Sequence, residues 1–182
     1  MREPELLLST PRFDVVRQWH ETPDGTFHAR ETVRHPGAVT IIPLLDDGRI
    51  VLIRNVRPAV GRTLIELPAG TLARGEDPRA AAERELQEET GYRAGKIEPI
   101  CQFFMSPGIL HERMHLFLAT QLVAGPTRLD EGEQIEPLLV SCDAALAMTR
   151  EGRIEDAKTL VGLLWWECFG RQKQKAAVAP RT

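Results

Sequence analysis

The sequence predicts a single domain folded as a mixed α/β or α+β sandwich. Three observations predict it. At 182 residues the chain fits one domain of roughly 100–200 residues, with room for a small appendage. Hydrophobic residues at 42% and charged residues at 27% are the balance of a packed globular protein and exclude overall disorder. Short apolar runs bounded by turn residues are mixed with clear helical segments, which calls for sheets and helices in shared layers.

The elements follow in order. Residues 1–36 are polar and punctuated, with Thr22-Pro23-Asp24-Gly25 as a turn between short strands near 13–20 and 26–34. From Ala38 the texture becomes apolar. Val39–Leu45 reads as a strand, Asp46-Asp47-Gly48 as a turn, and Arg49–Arg54 as a second strand. After a loop with Pro58 and Gly61, Thr63–Leu67 is a short strand ending in Pro68-Ala69-Gly70. Asp77 can cap a helix that Pro78 opens, since proline's missing N–H costs nothing at the first helical position. Arg79–Thr90 is rich in helix formers, and Gly91 stops it. Strands are expected near 96–104, 113–123 and Pro137–Ser141, with an acidic loop at Asp130–Gln134. Helices near 143–151 and 155–169 close the fold, and the polar tail from Arg171 is expected to be loose.

Composition narrows the function. A net charge of −3 and a pI near 6.0 give no footprint for nucleic acid. No apolar run reaches the ~18–20 residues of a membrane span. The opening Met-Arg-Glu-Pro-Glu has no apolar signal-peptide core, and cytoplasmic residence is the expectation. Cys101, Cys142 and Cys168 form no C-x-x-C pair; they are read as buried small hydrophobes in a reducing compartment. The five histidines show no H-E-x-x-H pattern, so nothing suggests a zinc hydrolase.

The chemical signal lies in Gly70–Tyr92. With Glu85 at zero on a helical wheel, about 100° per residue puts Glu89 near +40° and Glu88 near −60°. Three carboxylates share one arc, where like charges repel by roughly 0.2–0.5 kcal/mol per pair. The next positions back are Ala81 and Ala82, a small-residue floor beneath the carboxylates. Clustered oxygen ligands without Cys or His suit Mg²⁺ or Mn²⁺. A bare E-x-x-E-E would read as a solvated acidic face. Here Gly70, Glu76 before the helix, and Arg84 four residues before Glu88 have no place in that simpler reading.

The segment resembles the Nudix box, G-x5-E-x7-R-E-U-x-E-E-x-G-U. Gly70, Glu76, Arg84, Glu85, Leu86, Glu88, Glu89 and Gly91 fill the fixed places; Tyr92 stands where the family more often has an aliphatic residue. The resemblance implies a Nudix-type α/β/α sandwich with a mixed sheet, hydrolysing a nucleoside diphosphate linked to another moiety. It implies Glu85 and Glu89 as main metal ligands, Glu88 on a further ion, and the Ala69 carbonyl completing the set. Arg84 and Glu76 would orient the carboxylates and loop. Mg²⁺ is the implied cofactor, with Mn²⁺ as a substitute.

The flanks look like the ADP-ribose pyrophosphatase branch, a likeness that covers roughly residues 38–169. It is carried by Val56-Arg57-Pro58, Glu66-Leu67-Pro68-Ala69-Gly70, Arg153–Leu160 and Ser106-Pro107-Gly108, with Pro107 fifteen residues after Tyr92. On that resemblance Arg57 contacts a phosphate, Glu66 binds adenine or ribose, and Gly108 belongs to the substrate side. Glu112 holds the distal ribose or a metal. The general base comes from the acidic loop 129–136, with Glu133 first and Glu131 second. Residues 1–37 would form a small antiparallel β segment that helps build a homodimer, with Trp19, backed by Phe27, stacking on adenine. Residues 38–170 would be the hydrolase domain and 171–182 a flexible tail. Trp165 and Trp166 are read as core or dimer packing. The expected activity is Mg²⁺-dependent cleavage of ADP-ribose to AMP and ribose 5-phosphate. The alternatives are another nucleotide sugar such as GDP-mannose, or a catalytically silent nucleotide-binding regulator.

Overall fold

A computed structural model describes residues 3–171. The tail expected to be loose lies, from residue 172 on, outside the described residues. The chain begins with three antiparallel strands, β1 (Glu5–Ser9), β2 (Asp14–Glu21) and β3 (Phe27–Arg34). There follow β4 (Ala38–Pro43), β5 (Arg49–Arg57), β6 (Arg62–Glu66) and β7 (Ala69–Thr71). Helix α1 (Pro78–Thr90) leads into β8 (Tyr92–Phe104), β9 (Leu110–His111), β10 (Arg113–Ala124) and β11 (Ile135–Ser141). Helices α2 (Cys142–Arg150) and α3 (Ala157–Trp165) end the fold, the last continued by a π-helical turn at Trp166–Gly170.

These strands make three sheets, ordered β1-β2-β3-β9, β7-β4-β10-β8 and β11-β5-β6. The second is mixed: β4 runs parallel to β10, while β7 and β8 are antiparallel to their neighbours. Every residue of β4 is buried, as a strand covered on both faces must be. Its alternation sorts the core. Val39 and Ile41 pack with Ala81, Ala82 and Leu86 of α1. Ile42 faces the other way and joins Ile50, Leu52, Leu163 of α3 and Trp166. Helices therefore cover both faces, giving the α/β/α sandwich that the sequence predicts.

Helix α1 spans the expected residues because its ends are chemically specified. The Asp77 carboxylate accepts from the N–H groups of Arg79 and Ala80, and Gly91 turns left-handed at φ 76°. Other elements differ from the sequence expectation for tertiary reasons. Strand β5 runs three residues further, to Arg57, because β6 pairs with that extension. Strand β8 starts at Tyr92 because β10 pairs with it as far as Ala124. The three-residue β7 has no periodic signal and exists by pairing with β4. Strand β1, unforeseen in a polar stretch, leaves Leu6, Leu7 and Leu8 exposed by 40–59%.

Three readings are corrected. Ala81 and Ala82 are no floor beneath the carboxylates: both are fully buried against the sheet, where only small side chains let α1 approach. The last helix is α-helical only to Trp165. Of the cysteines, Cys101 and Cys142 are half-buried and Cys168 is exposed, so none is a fully buried hydrophobe. Trp166 is a core residue, 3% exposed, and Trp165 packs against the same core. Among the described residues no helix is long and apolar enough to cross a membrane.

Candidate active site

Two carboxylates of α1, Glu85 and Glu89, lie against β7. Glu89 is 3% exposed, and its Oε2 accepts from the Ala69 N–H at 2.8 Å. Glu85 lies against Gly70. A Cβ added at Gly70 would stand 1.9 Å from the Glu85 carboxylate, so any larger residue would drive that carboxylate out. The approach to β7 is pinned by the Pro68 carbonyl, which accepts from Ile41 N at 2.9 Å and Thr40 Oγ1 at 3.2 Å.

Arg84 ties the remaining acids together. Its Nη1 donates to Glu85 Oε1 at 2.7 Å and to Glu88 Oε2 at 2.9 Å. Its Nε and Nη2 donate to Glu76 at 3.0 and 3.2 Å. Glu76 in turn accepts from the Ala73 N–H at 2.8 Å and so closes the loop ahead of α1. One guanidinium thus serves three carboxylates, and a fourth, Glu89, is left with a single backbone N–H. The result shows in the acidities. Burial pushes the Glu89 carboxyl up to about 8, the Ala69 N–H opposes it, and the charges of Glu85 and Glu133 add to it. Burial also raises Glu85 against the pull of Arg84, and again Glu88 and Glu133 push the same way. Glu76 is held low by Arg84.

Glu133 therefore sits close enough for its charge to be felt at both inner carboxylates. It lies exposed on the loop 125–134, where its Oε2 accepts from the Asp130 N–H at 3.1 Å. That loop is fastened to α1 by Arg128 N donating to the Glu88 carbonyl at 2.9 Å. Glu131, the other acid proposed for this role, is also exposed there.

Beside the carboxylates lies a cleft of about 320 Å³ whose lining includes Arg57, Glu66, Ala69, Gly70 and Glu112. Glu66 is fully buried. Arg57 holds it bidentately through Nε at 2.8 Å and Nη2 at 2.7 Å. Lys158 Nζ donates to Glu66 at 2.6 Å and to Asp156 at 2.9 Å. Burial alone would raise the Glu66 carboxyl; Arg57 and Lys158 together outweigh it and hold it low. The Arg57 guanidinium is raised in return, first by its hydrogen bonds to Glu66. Asp156 caps α3 through Thr159 N, and the Thr159 hydroxyl accepts from Leu67 N at 2.7 Å, which locks α3 to the end of β6. Glu112 Oε1 of the same lining lies 3.5 Å from His35 Nδ1, which accepts from the Gly37 N–H at 3.2 Å.

Most of the sequence-selected residues meet here: Ala69, Arg84, Glu85, Glu88 and Glu89 at the carboxylate cluster, Arg57, Glu66 and Glu112 at the cleft. Two do not. Gly108 stands in an exposed turn with open space around it. Trp19 is half-buried on β2 opposite Ala29 and does not line its own chain's cleft. The sequence reading gave no role to Lys158, Asp156 or His35. The capping pattern Asp156-Ala157-Lys158-Thr159 was readable as a helix start; that its lysine reaches Glu66 was not. Among the described residues, no three His, Cys, Asp or Glu side chains already form a metal-binding group.

An α/β/α sandwich that buries glutamates of one helix against a glycine strand, with an adjacent charged cleft, has its counterpart among known proteins. The NUDIX domain matches residues 33–161, well over half of the chain, and the chain belongs to the Nudix family. It is 40% identical over 157 residues to the ADP-ribose pyrophosphatase of Bacillus subtilis, covering 85% of each chain. It is 38% identical over 157 residues to the methanol dehydrogenase activator of Bacillus methanolicus, again 85% of each. The GDP-mannose pyrophosphatase of Citrobacter koseri is 35% identical over 165 residues, 85% of this chain and 84% of that one. A solved structure of an ADP compounds hydrolase shares the fold, with a TM-score of 0.80 at 21% identity over 98% of this chain and 95% of that one.

Proposed function

We propose that this Nudix hydrolase cleaves the diphosphate of ADP-ribose to AMP and ribose 5-phosphate, and that it needs a divalent cation, Mg²⁺ by preference with Mn²⁺ as a substitute. The supporting observation is the charge of the site. Glu76, Glu85 and Glu88 share one arginine, Arg84, Glu89 adds a fourth acid, and the cleft adds Glu66, Glu112 and Asp156 against Arg57 and Lys158. A diphosphate would be repelled from this surface unless cations enter with it. The residues fit such cations: oxygen donors only, Glu89 buried and Glu85 half-buried, in a cradle kept open by Gly70. Glu85 and Glu89 would be the main holders, with Glu88 and the Ala69 carbonyl beside them. Bound there, divalent cations neutralise diphosphate charge and make water more acidic.

The chain's own side chains do the rest. Glu133 takes the proton of the attacking water from its exposed acidic loop. The water oxygen bonds to one phosphorus, the bridging P–O bond breaks, and the electron pair leaves with the second phosphate ester. Arg57, held by Glu66, offers its remaining N–H groups to a phosphate oxygen. Glu112 accepts from sugar hydroxyls. Arg84 and Glu76 keep Glu85 and Glu88 aimed.

The similarity to the Bacillus subtilis ADP-ribose pyrophosphatase favours ADP-ribose as substrate. The GDP-mannose pyrophosphatase relative favours a second reading with the same chemistry on another nucleotide sugar. One assay separates them: the purified chain is incubated with ADP-ribose and GDP-mannose, with Mg²⁺ or with EDTA, and the products are identified. AMP and ribose 5-phosphate formed only with the metal, and faster than products from GDP-mannose, support the reading. Hydrolysis in EDTA, or none of either substrate, overturns it; binding without turnover identifies a silent regulator. The exposed leucines of β1 support a homodimer built through the N-terminal sheet, which light scattering of the Leu6→Lys, Leu8→Lys variant tests. Cytoplasmic residence fits three free cysteines.

A further inference from the structure

A second cavity, of about 370 Å³, adjoins the first; Thr71 lines both. It forms where the turn 10–13, the end of β3 and the segment 71–74 after β7 come together. Three arginines from these three segments, Arg12, Arg34 and Arg74, line it. Arg57 and Arg84 find carboxylates, but among the described residues none of these three makes an ion pair. The cavity's own acid, Asp14, lies opposite Arg34 across the β2–β3 pair, and its Oδ1 accepts from Ser9 Oγ at 2.6 Å. Phe13, 37% exposed, supplies an apolar wall. The lining is thus positive in a chain whose net charge is −3, and opposite in sign to the carboxylate cluster next door.

We propose that this cavity is a second, metal-independent site that binds the phosphate group of a small phosphate ester, with the ester's body against Phe13. Guanidinium groups offer forked N–H donors that match phosphate oxygens, and several in one concave surface concentrate anions from solution. The volume falls in the range of ligand sites, roughly 300–1,000 Å³. His35 connects the two clefts: it lines this cavity, and its Nδ1 lies 3.5 Å from Glu112 of the first. The proposal does not depend on the hydrolytic reading, because the carboxylate cluster needs cations to take a phosphate and this cavity does not.

Calorimetric titration of the full chain in EDTA tests it, with AMP and inorganic phosphate as probes. Both are expected to bind saturably at one site per chain, AMP the more tightly. The Arg34→Glu, Arg74→Glu double variant should weaken both by about tenfold or more, with its thermal midpoint confirming that it folds. Arg150→Glu on the far helix should bind as the unaltered chain does. The proposal is overturned if neither anion saturates at about 10 mM. It is equally overturned if Arg150→Glu costs as much as the double variant, or if AMP binds no better than phosphate.

Discussion

Two glutamates, Glu66 and Glu89, are buried to nearly the same degree, 0% and 3% exposed, yet their acidities move in opposite directions. Glu66 has two cations within hydrogen-bonding distance and stays ionised. Glu89 has one backbone N–H and two further acids nearby, and its carboxyl rises to about 8. Burial sets the cost of a charge; the partners decide whether it is met. The Glu66 region is complete in itself, an alternating Arg57–Glu66–Lys158–Asp156 chain. The Glu89 region is an acidic surplus that becomes stable as charge only when cations arrive from outside.

Breaking the surplus should have the largest effect. Glu85→Gln or Glu89→Gln should lower Mg²⁺-supported ADP-ribose turnover by about a hundredfold or more, read as initial rate. Wild-type rates in both would remove the metal reading. Gly70→Ala, which touches no charge, should approach the same loss because its methyl group evicts the Glu85 carboxylate; misplacement by about 1 Å can cost about a hundredfold.

Breaking the complete network should act on stability. Lys158→Met leaves Glu66 buried with one cation fewer and should cost about 3–5 kcal/mol in denaturant unfolding. Glu89→Gln should cost the metal-free chain little, or stabilise it, and equal losses in the two variants would erase the contrast.

Acidity sharpens the contrast further. The raised Glu89 carboxyl favours folding while it is protonated, so its contribution is full below the ordinary value of about 4.3 and is lost as pH rises through about 8. Metal-free thermal midpoints should therefore fall over that window, and added divalent cation should restore them. Glu66, held low, contributes above about 4.3 and loses its contribution as pH falls through its lowered value, so the Glu66 region weakens in acid. The smallest effect belongs to the helix start: Asp77→Ala should cost about 1 kcal/mol of stability while leaving the carboxylates in register.

The carboxylate region was legible because its residues are close in sequence. A helical period, a cap and a glycine stop place Glu85, Glu88 and Glu89 on one arc, and α1 has the expected bounds. The Glu66 network was not, because residues 57, 66, 156 and 158 come from β5, β6 and the start of α3, and no periodicity links them. Ala81 and Ala82 were misjudged for a related reason: a wheel gives an angle about the helix axis but not what lies against it.

By itself the sequence determined the order of eight of the eleven described strands and of the three helices, the ends of α1 and the set of acids aimed along it, since these follow from local backbone preferences and hydrogen bonds made within a few residues. Only the tertiary structure decided that β7 exists, that Gly70 shelters Glu85, that Lys158 completes Glu66, and that three arginines share a cavity. Those outcomes depend on which distant segments pair and on how much water their packing removes, and burial and long-range charge have no counterpart along the chain.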